Sequence, residues 1–102
     1  MKQESCGVEK TLKTIGRKWT ILIIRDLCEG TKRFGELHRS LDGISPRTLA
    51  LRLKQLGKEG IIKRKAFQEI PLHVEYSLTS KGNSLREIID KMRQWGEEVV
   101  NN

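Results

Sequence analysis

Cysteine, histidine and aromatic residues are scarce in this 102-residue chain, which has two Cys, two His, two Trp, two Phe and one Tyr. Two cysteines with no secretory leader argue against a structural disulfide, because the cytosol keeps thiols reduced. His38 and His73 have no Cys or carboxylate spaced around them as metal ligands would be, so no metal or other cofactor is expected. Glycine-rich phosphate loops and nucleophile elbows are also missing, and with them the common signatures of an enzyme. The few aromatics offer no stacking surface for RNA, whose deep A-form groove also excludes a helix. No apolar run approaches the roughly 20 residues that a membrane span requires. The opening MKQESCGVEK lacks the apolar stretch of a secretory signal. These absences lead to the expectation of a cytoplasmic protein, on the nucleoid of a bacterium-like cell, with no membrane partner. With no repeat, low-complexity tract or long linker, residues 1–102 are expected to form one domain. Its core is thin enough that burial against a second copy would add stability.

Positive charge is plentiful and unevenly placed. Lys32 to Lys65 contains ten Lys or Arg against three Asp or Glu, a surplus of seven that equals the formal charge of the whole chain. The remainder balances ten bases against ten acids. A basic excess confined to one contiguous stretch is the electrostatic footprint of a surface that binds a polyanion.

Apolar spacing and turn residues divide the chain into short elements. Val8, Leu12 and Ile15 recur at helical spacing and predict a first helix ending near Gly16. Trp19 to Cys28 reads as a second helix, apolar around most of its circumference and stopped by Gly30. Thr31-Lys32-Arg33 is a brief strand, and Phe34 to Leu41 a third helix with Phe34, Leu37 and Leu41 on one side. After the Asp42-Gly43 turn, Ser45 is placed to cap a fourth helix whose first residue is Pro46, where no backbone donor is needed. That helix should run to about Lys58, before Gly60. Ile61–Phe67 and Val74–Leu78 are two strands joined around Gln68 to His73, and Thr79 caps a long last helix reaching about Val99. The fold class is therefore mainly α with a small antiparallel β-hairpin wing. It is a winged helix-turn-helix with N-terminal helices over about 8–29, the helix-turn-helix and wing over 31–78, and a dimerisation helix over 79–100.

Steps of about 100° per residue sort the fourth helix into two faces. Leu49, Leu53 and Leu56 form the inward stripe, whereas Arg47, Leu51, Lys54 and Lys58 fall opposite, with Ala50 and Gln55 on the flanks. Such helices usually enter the major groove by their N-terminal end, so Ser45, Arg47, Thr48 and Leu51 are the candidates to meet base edges, with Pro46 beside them among the DNA-binding candidates. Arg can hold guanine O6 and N7 together, and Leu can touch a thymine methyl. Arg52, Lys54 and Lys58 are candidates for the phosphate side of the contact, and Gln55 on the flank is a further DNA-binding candidate. In the wing, Lys63, Arg64, Lys65, Gln68 and His73 could follow the backbone or enter the minor groove, though side chains alternate across a strand and only some can face DNA together. The competing reading is a winged helix that binds another protein without specific DNA readout. The cations retained at positions 47, 52, 54 and 58 weigh against it.

The ordered segments IGRKWTILIIRDL (Ile15–Leu27), KRFGEL (Lys32–Leu37), GISPRTLALRLKQL (Gly43–Leu56) and GIIKR (Gly60–Arg64) resemble the HxlR-type winged helix-turn-helix regulators of bacteria. The stretch from Ile70-Pro71 through Val74–Thr79 to Gly82 fits the same pattern, as do Trp95 and Cys6. The resemblance implies a homodimeric regulator, repressor or activator, bound to double-stranded DNA at a near-palindromic site. In several such regulators a cysteine at the position of Cys6 senses oxidants or electrophiles.

The residues themselves leave two questions open. Leu85, Ile88, Met92, Trp95 and Val99 step by three and four along the last helix, with Ile89 broadening the seam. That seam could pack on the chain's own core, or meet a second copy whose first helix (Val8, Leu12) closes over it. Cys6 stands just before a helix N-terminus, where the helix dipole, Lys2 and Lys10 favour the thiolate while Glu4 and Glu9 oppose it. It is either a reactive sensor thiol or an inert surface residue. Cys28 reads as a small apolar residue at the end of the second helix. If a disulfide switch exists, Cys6 bonding to the other subunit is favoured over an internal Cys6–Cys28 bond.

Overall fold

Aliphatic residues from six segments close over one another in a single core, and each element's position follows from the face it turns inward. The computed structural model describes residues 6–100. The order is α1 (Gly7–Ile15), α2 (Thr20–Leu27), β1 (Lys32–Arg33), α3 (Phe34–Ser40), α4 (Pro46–Lys58), β2 (Ile62–Phe67), β3 (His73–Leu78), α5 (Ser80–Asn83) and α6 (Arg86–Val99). The winged helix-turn-helix is thus formed, with helices added at both ends. The core consists of Ile23, Ile24 and Leu27 from α2, Leu37 and Leu41 around α3, Ile44, the α4 leucines 49, 53 and 56, Ile61 and Ile62 at the start of β2, and Leu85 and Ile89. Among the described residues α1 buries none fully.

The three strands form one antiparallel sheet in the order β1-β3-β2. Its register pairs Lys63 with Ser77, Arg64 with Tyr76, Lys65 with Glu75 and Phe67 with His73, while Lys32 and Arg33 of β1 lie opposite Tyr76 and Glu75. The short basic strand after α2 therefore completes the sheet on the far side of β3 from β2.

Three details depart from the periodicity reading. Trp19 is not the first turn of α2 but its N-cap, held at φ 82° in the left-handed region. A residue with a Cβ is disfavoured there, yet the conformation brings the Trp19 ring beside the Gly43 turn, itself at φ 93°.

The long last helix is interrupted. Thr79 does act as a cap, its Oγ1 accepting from the Gly82 N–H at 3.1 Å, but the segment it caps is the single turn α5, and α6 begins afresh at Arg86. Gly82 is buried so close to the Ile61 carbonyl that a Cβ would collide with it. Asn83 and Ser84, which follow it, favour local hydrogen bonds over helix continuation, and the Ser84 hydroxyl donates to the Lys81 carbonyl.

In α6 the face that carries Leu85 and Ile89 turns inward, leaving them 9% and 5% exposed. Both belong to the chain's own core, so the six-residue seam expected on the last helix is reduced to Ile88, Met92, Trp95 and Val99.

Candidate nucleic-acid interface

Helix α4 is built as its sequence demands. The Ser45 Oγ accepts from the Thr48 N–H and donates to Thr48 Oγ1, both at 3.0 Å, and Pro46 occupies the first helical position. Leu49, Leu53 and Leu56 are buried. Their burial orients the opposite face outward: Arg47, Lys54 and Lys58 are exposed and have no side-chain partner among the described residues, and Leu51 is 53% exposed. An exposed leucine between cations is an apolar contact point within a positive surface. Ser45 and Pro46 are exposed and Thr48 half-buried at the leading end of the helix.

Two other α4 residues are already engaged. The Arg52 Nε donates to the Lys18 carbonyl at 3.1 Å, which ties the middle of α4 to the turn between α1 and α2. Gln55 faces the same turn: with its amide oxygen directed inward, that oxygen accepts from Arg17 Nε and Nη2 at 3.2 Å each. Gln55 is therefore a partner of Arg17 rather than part of the open face. Arg52 keeps its terminal nitrogens for an outside ligand.

The wing divides along its pleat. Arg64 lines a recess of about 380 Å³ with Ala50, Leu53 and Lys54 of α4, together with Ile62 and Tyr76, so it stands on the sheet face turned towards α4. Lys63 and Lys65, one residue to either side, point to the other face, where Lys65 Nζ lies 5.0 Å from the Phe67 ring centre. Gln68 is exposed at the tip. His73 differs from the sequence expectation. It stacks on Phe67 with ring centres 4.5 Å apart, its Nδ1 is 2.9 Å from a Glu69 oxygen and its Nε2 3.3 Å from a Glu75 oxygen. Its side chain is 15% exposed. Two of the chain's own carboxylates therefore occupy His73, and it is not available to lie along a phosphate backbone. Alternation of side chains across β2 could have singled out Arg64 from its neighbours, but only the packing of α4 on the sheet says which face matters.

Cys6 is exposed and caps α1: its Sγ accepts from the Glu9 N–H at 3.5 Å, and the Glu9 carboxylate accepts from the Cys6 N–H at 3.2 Å. Lys2 and Glu4 lie outside the described residues. Cys28 is half-buried against the core, and its carbonyl accepts from Arg86 Nη1 at 2.8 Å. Both thiols are free. Away from α4, Val8 and Leu12 of α1 and Ile88, Met92, Trp95 and Val99 of α6 are exposed, Trp95 by 61%.

A capped helix with a cationic outer face, beside a three-stranded sheet that extends as a basic hairpin, defines a winged helix-turn-helix protein. Residues 14–102 match the family model described as HxlR-like helix-turn-helix, and the chain belongs to that family. It is 46% identical over 94 residues to a protein named as the regulatory protein MalR of Fusobacterium mortiferum, covering 91% of this chain and 89% of that one. Its fold is similar to that of a crystal structure described as a MarR-family transcriptional regulator from Porphyromonas gingivalis W83, with a TM-score of 0.90, 40% identity and 97% of each chain covered. It is also similar to the redox regulator HypR in its oxidised form, with a TM-score of 0.86, 41% identity, and 90% of this chain and 95% of that one covered.

Proposed function

We propose that this protein is a sequence-specific, double-stranded DNA-binding transcription regulator that acts as a homodimer. The observation that carries the reading is the outer face of α4, where Arg47, Leu51, Lys54 and Lys58 project without partners among the described residues. A winged helix with no nucleic-acid role would gain nothing from four such side chains beside an exposed Arg64. Arg47 and Leu51 read base edges, and Lys54, Lys58 and Arg64 meet phosphates. The exposed apolar residues of α1 and α6 form the subunit contact, because a patch of this kind on a small chain marks an interface. Two recognition helices related by a two-fold axis then read half-sites about one DNA turn, roughly 34 Å, apart.

Cys6 is the second part of the proposal. An exposed thiol at a helix N-terminus is placed to react with oxidants or electrophiles, and the likeness to a redox regulator supports that role. The half-buried Cys28 favours Cys6 of the partner subunit, rather than Cys28, as the group that Cys6 would bond.

Fluorescence anisotropy with a duplex from upstream of the protein's own gene, against an unrelated duplex of equal length, tests the central claim. Specific binding should exceed non-specific binding by at least about a thousandfold and weaken steeply as salt rises. Equal, weak binding to both duplexes would refute sequence-specific recognition.

A further inference from the structure

The turn between α1 and α2 meets the C-terminal half of α4 across a recess of about 540 Å³. Four cations line it, Arg17, Arg52, Lys54 and Lys58, against a single carboxylate, Glu59. We propose that this recess is a phosphodiester site and that Arg17, which lies outside the recognition helix, is a DNA-backbone contact. The inference rests on the DNA-binding reading above.

The geometry presents Arg17 rather than leaving it to wander. It follows Gly16, the C-cap of α1, and is exposed. Gln55 takes two of its N–H groups, which leaves three of the five guanidinium donors for a ligand. The Arg52–Lys18 hydrogen bond fixes the same turn on α4 from the next residue along, and the Trp19 ring against Gly43 fixes it one residue further. Three consecutive residues therefore hold the turn on the recognition unit. A guanidinium anchored in this way loses little freedom when it binds.

Charge identifies the occupant. Four cations sharing one recess repel one another, and Glu59 offsets only one of them. One oxygen of Glu59, Oε1, is buried without a partner among the described residues, so the recess is not neutralised from within by a made ion pair. An anion entering it removes the repulsion. Leu51 and Lys54 belong both to this recess and to the outer face of α4. An anion seated there adjoins whatever duplex α4 reads, so a phosphate of that duplex is the ligand. Arg17 thus contributes affinity and register, and no base preference.

Binding of the full chain to the preferred and the unrelated duplex, followed by anisotropy across a range of KCl concentrations, tests this. Arg17→Ala should weaken both duplexes by the same factor, on the order of fivefold at low salt, and lower the salt slope by about 0.9, the signature of one lost phosphate contact. Arg17→Lys should restore the slope. Arg17→Gln carries the same prediction as Arg17→Ala should the alanine variant melt early. An unchanged slope in Arg17→Ala overturns the proposal, as does a loss confined to the preferred duplex. Pyrophosphate that binds the protein–DNA complex without displacing the duplex, in the parent but not in Arg17→Ala, would assign the recess to a free phosphate and also overturn it. A parent protein that binds no duplex at the lowest salt refutes the DNA reading itself, whereas binding with an insensitive slope refutes only the role of Arg17.

Discussion

Side chains on the basic surface divide according to what already holds them. Arg47 has no partner among the described residues, whereas Arg52 donates to a carbonyl, Gln55 faces Arg17 and His73 sits between two carboxylates. A free guanidinium near the N-terminal end of α4 is the group best placed to reach a base edge. We predict that Arg47→Ala reduces the preference for the specific duplex by about 1–3 kcal/mol while changing non-specific affinity far less. Anisotropy on both duplexes measures this, and an intact preference in the variant would remove Arg47 from base reading. Cys6 gives a second prediction. Its sulfur already serves as a helix cap, and serine caps better than cysteine, so Cys6→Ser should keep α1 in place. The variant should retain DNA binding and lose any release caused by diamide or a quinone. Release that persists in Cys6→Ser would place the sensitivity elsewhere.

At the scale of elements, α4 and the α5–α6 break respond to opposite kinds of change. Ser45→Ala removes the acceptor for the Thr48 N–H and should lower stability by about 1 kcal/mol. Two glycines give a sharper contrast. Gly82→Ala sets a methyl group against the Ile61 carbonyl and should destabilise by about 1–3 kcal/mol. Gly57 lies inside α4 with no atom near the place of its missing Cβ; Gly57→Ala should stabilise by about 0.5–1 kcal/mol through helix propensity and the unfolded chain's entropy. Thermal melts of the two variants should move in opposite directions. A Gly82→Ala melt at or above the parent's would show that the close approach of α5 to β2 is not needed.

The molecule as a whole is more spread out than its length requires. Its radius of gyration is 15.1 Å, against about 13 Å for a compact chain of 100 residues. The excess agrees with an α1 that buries no residue fully and an α6 whose outer side carries Ile88, Met92, Trp95 and Val99 into solvent. A second copy that covers these residues would remove the exposure. Trp95→Glu sets a charge in that contact and should shift the protein from dimer towards monomer in sedimentation velocity, with weaker operator binding because two half-sites are no longer engaged together. A parent protein that sediments as a monomer at micromolar concentration would refute the homodimer.

Much of this architecture was legible in the chain before its coordinates. Leucine spacing in α4, the Ser-Pro start, the glycine stops and the two strands are local signals, because periodicity and capping depend on neighbours a few residues away. They marked out the winged helix-turn-helix and the outward face of the recognition helix. Tertiary packing decided the rest. Leu85 and Ile89 have the same spacing as Ile88 and Met92, and only the docking of one face of α6 on α2 sends the first pair to the core. Trp19 occupies a left-handed conformation that its own propensity disfavours, with its ring packed on the core beside the Gly43 turn. Arg17 looks in sequence like any basic residue after a helix; the fold sets it across from Gln55 and the cations of α4. A linear pattern specifies which face of an element is apolar, whereas partnership between side chains tens of residues apart exists only once the elements have docked.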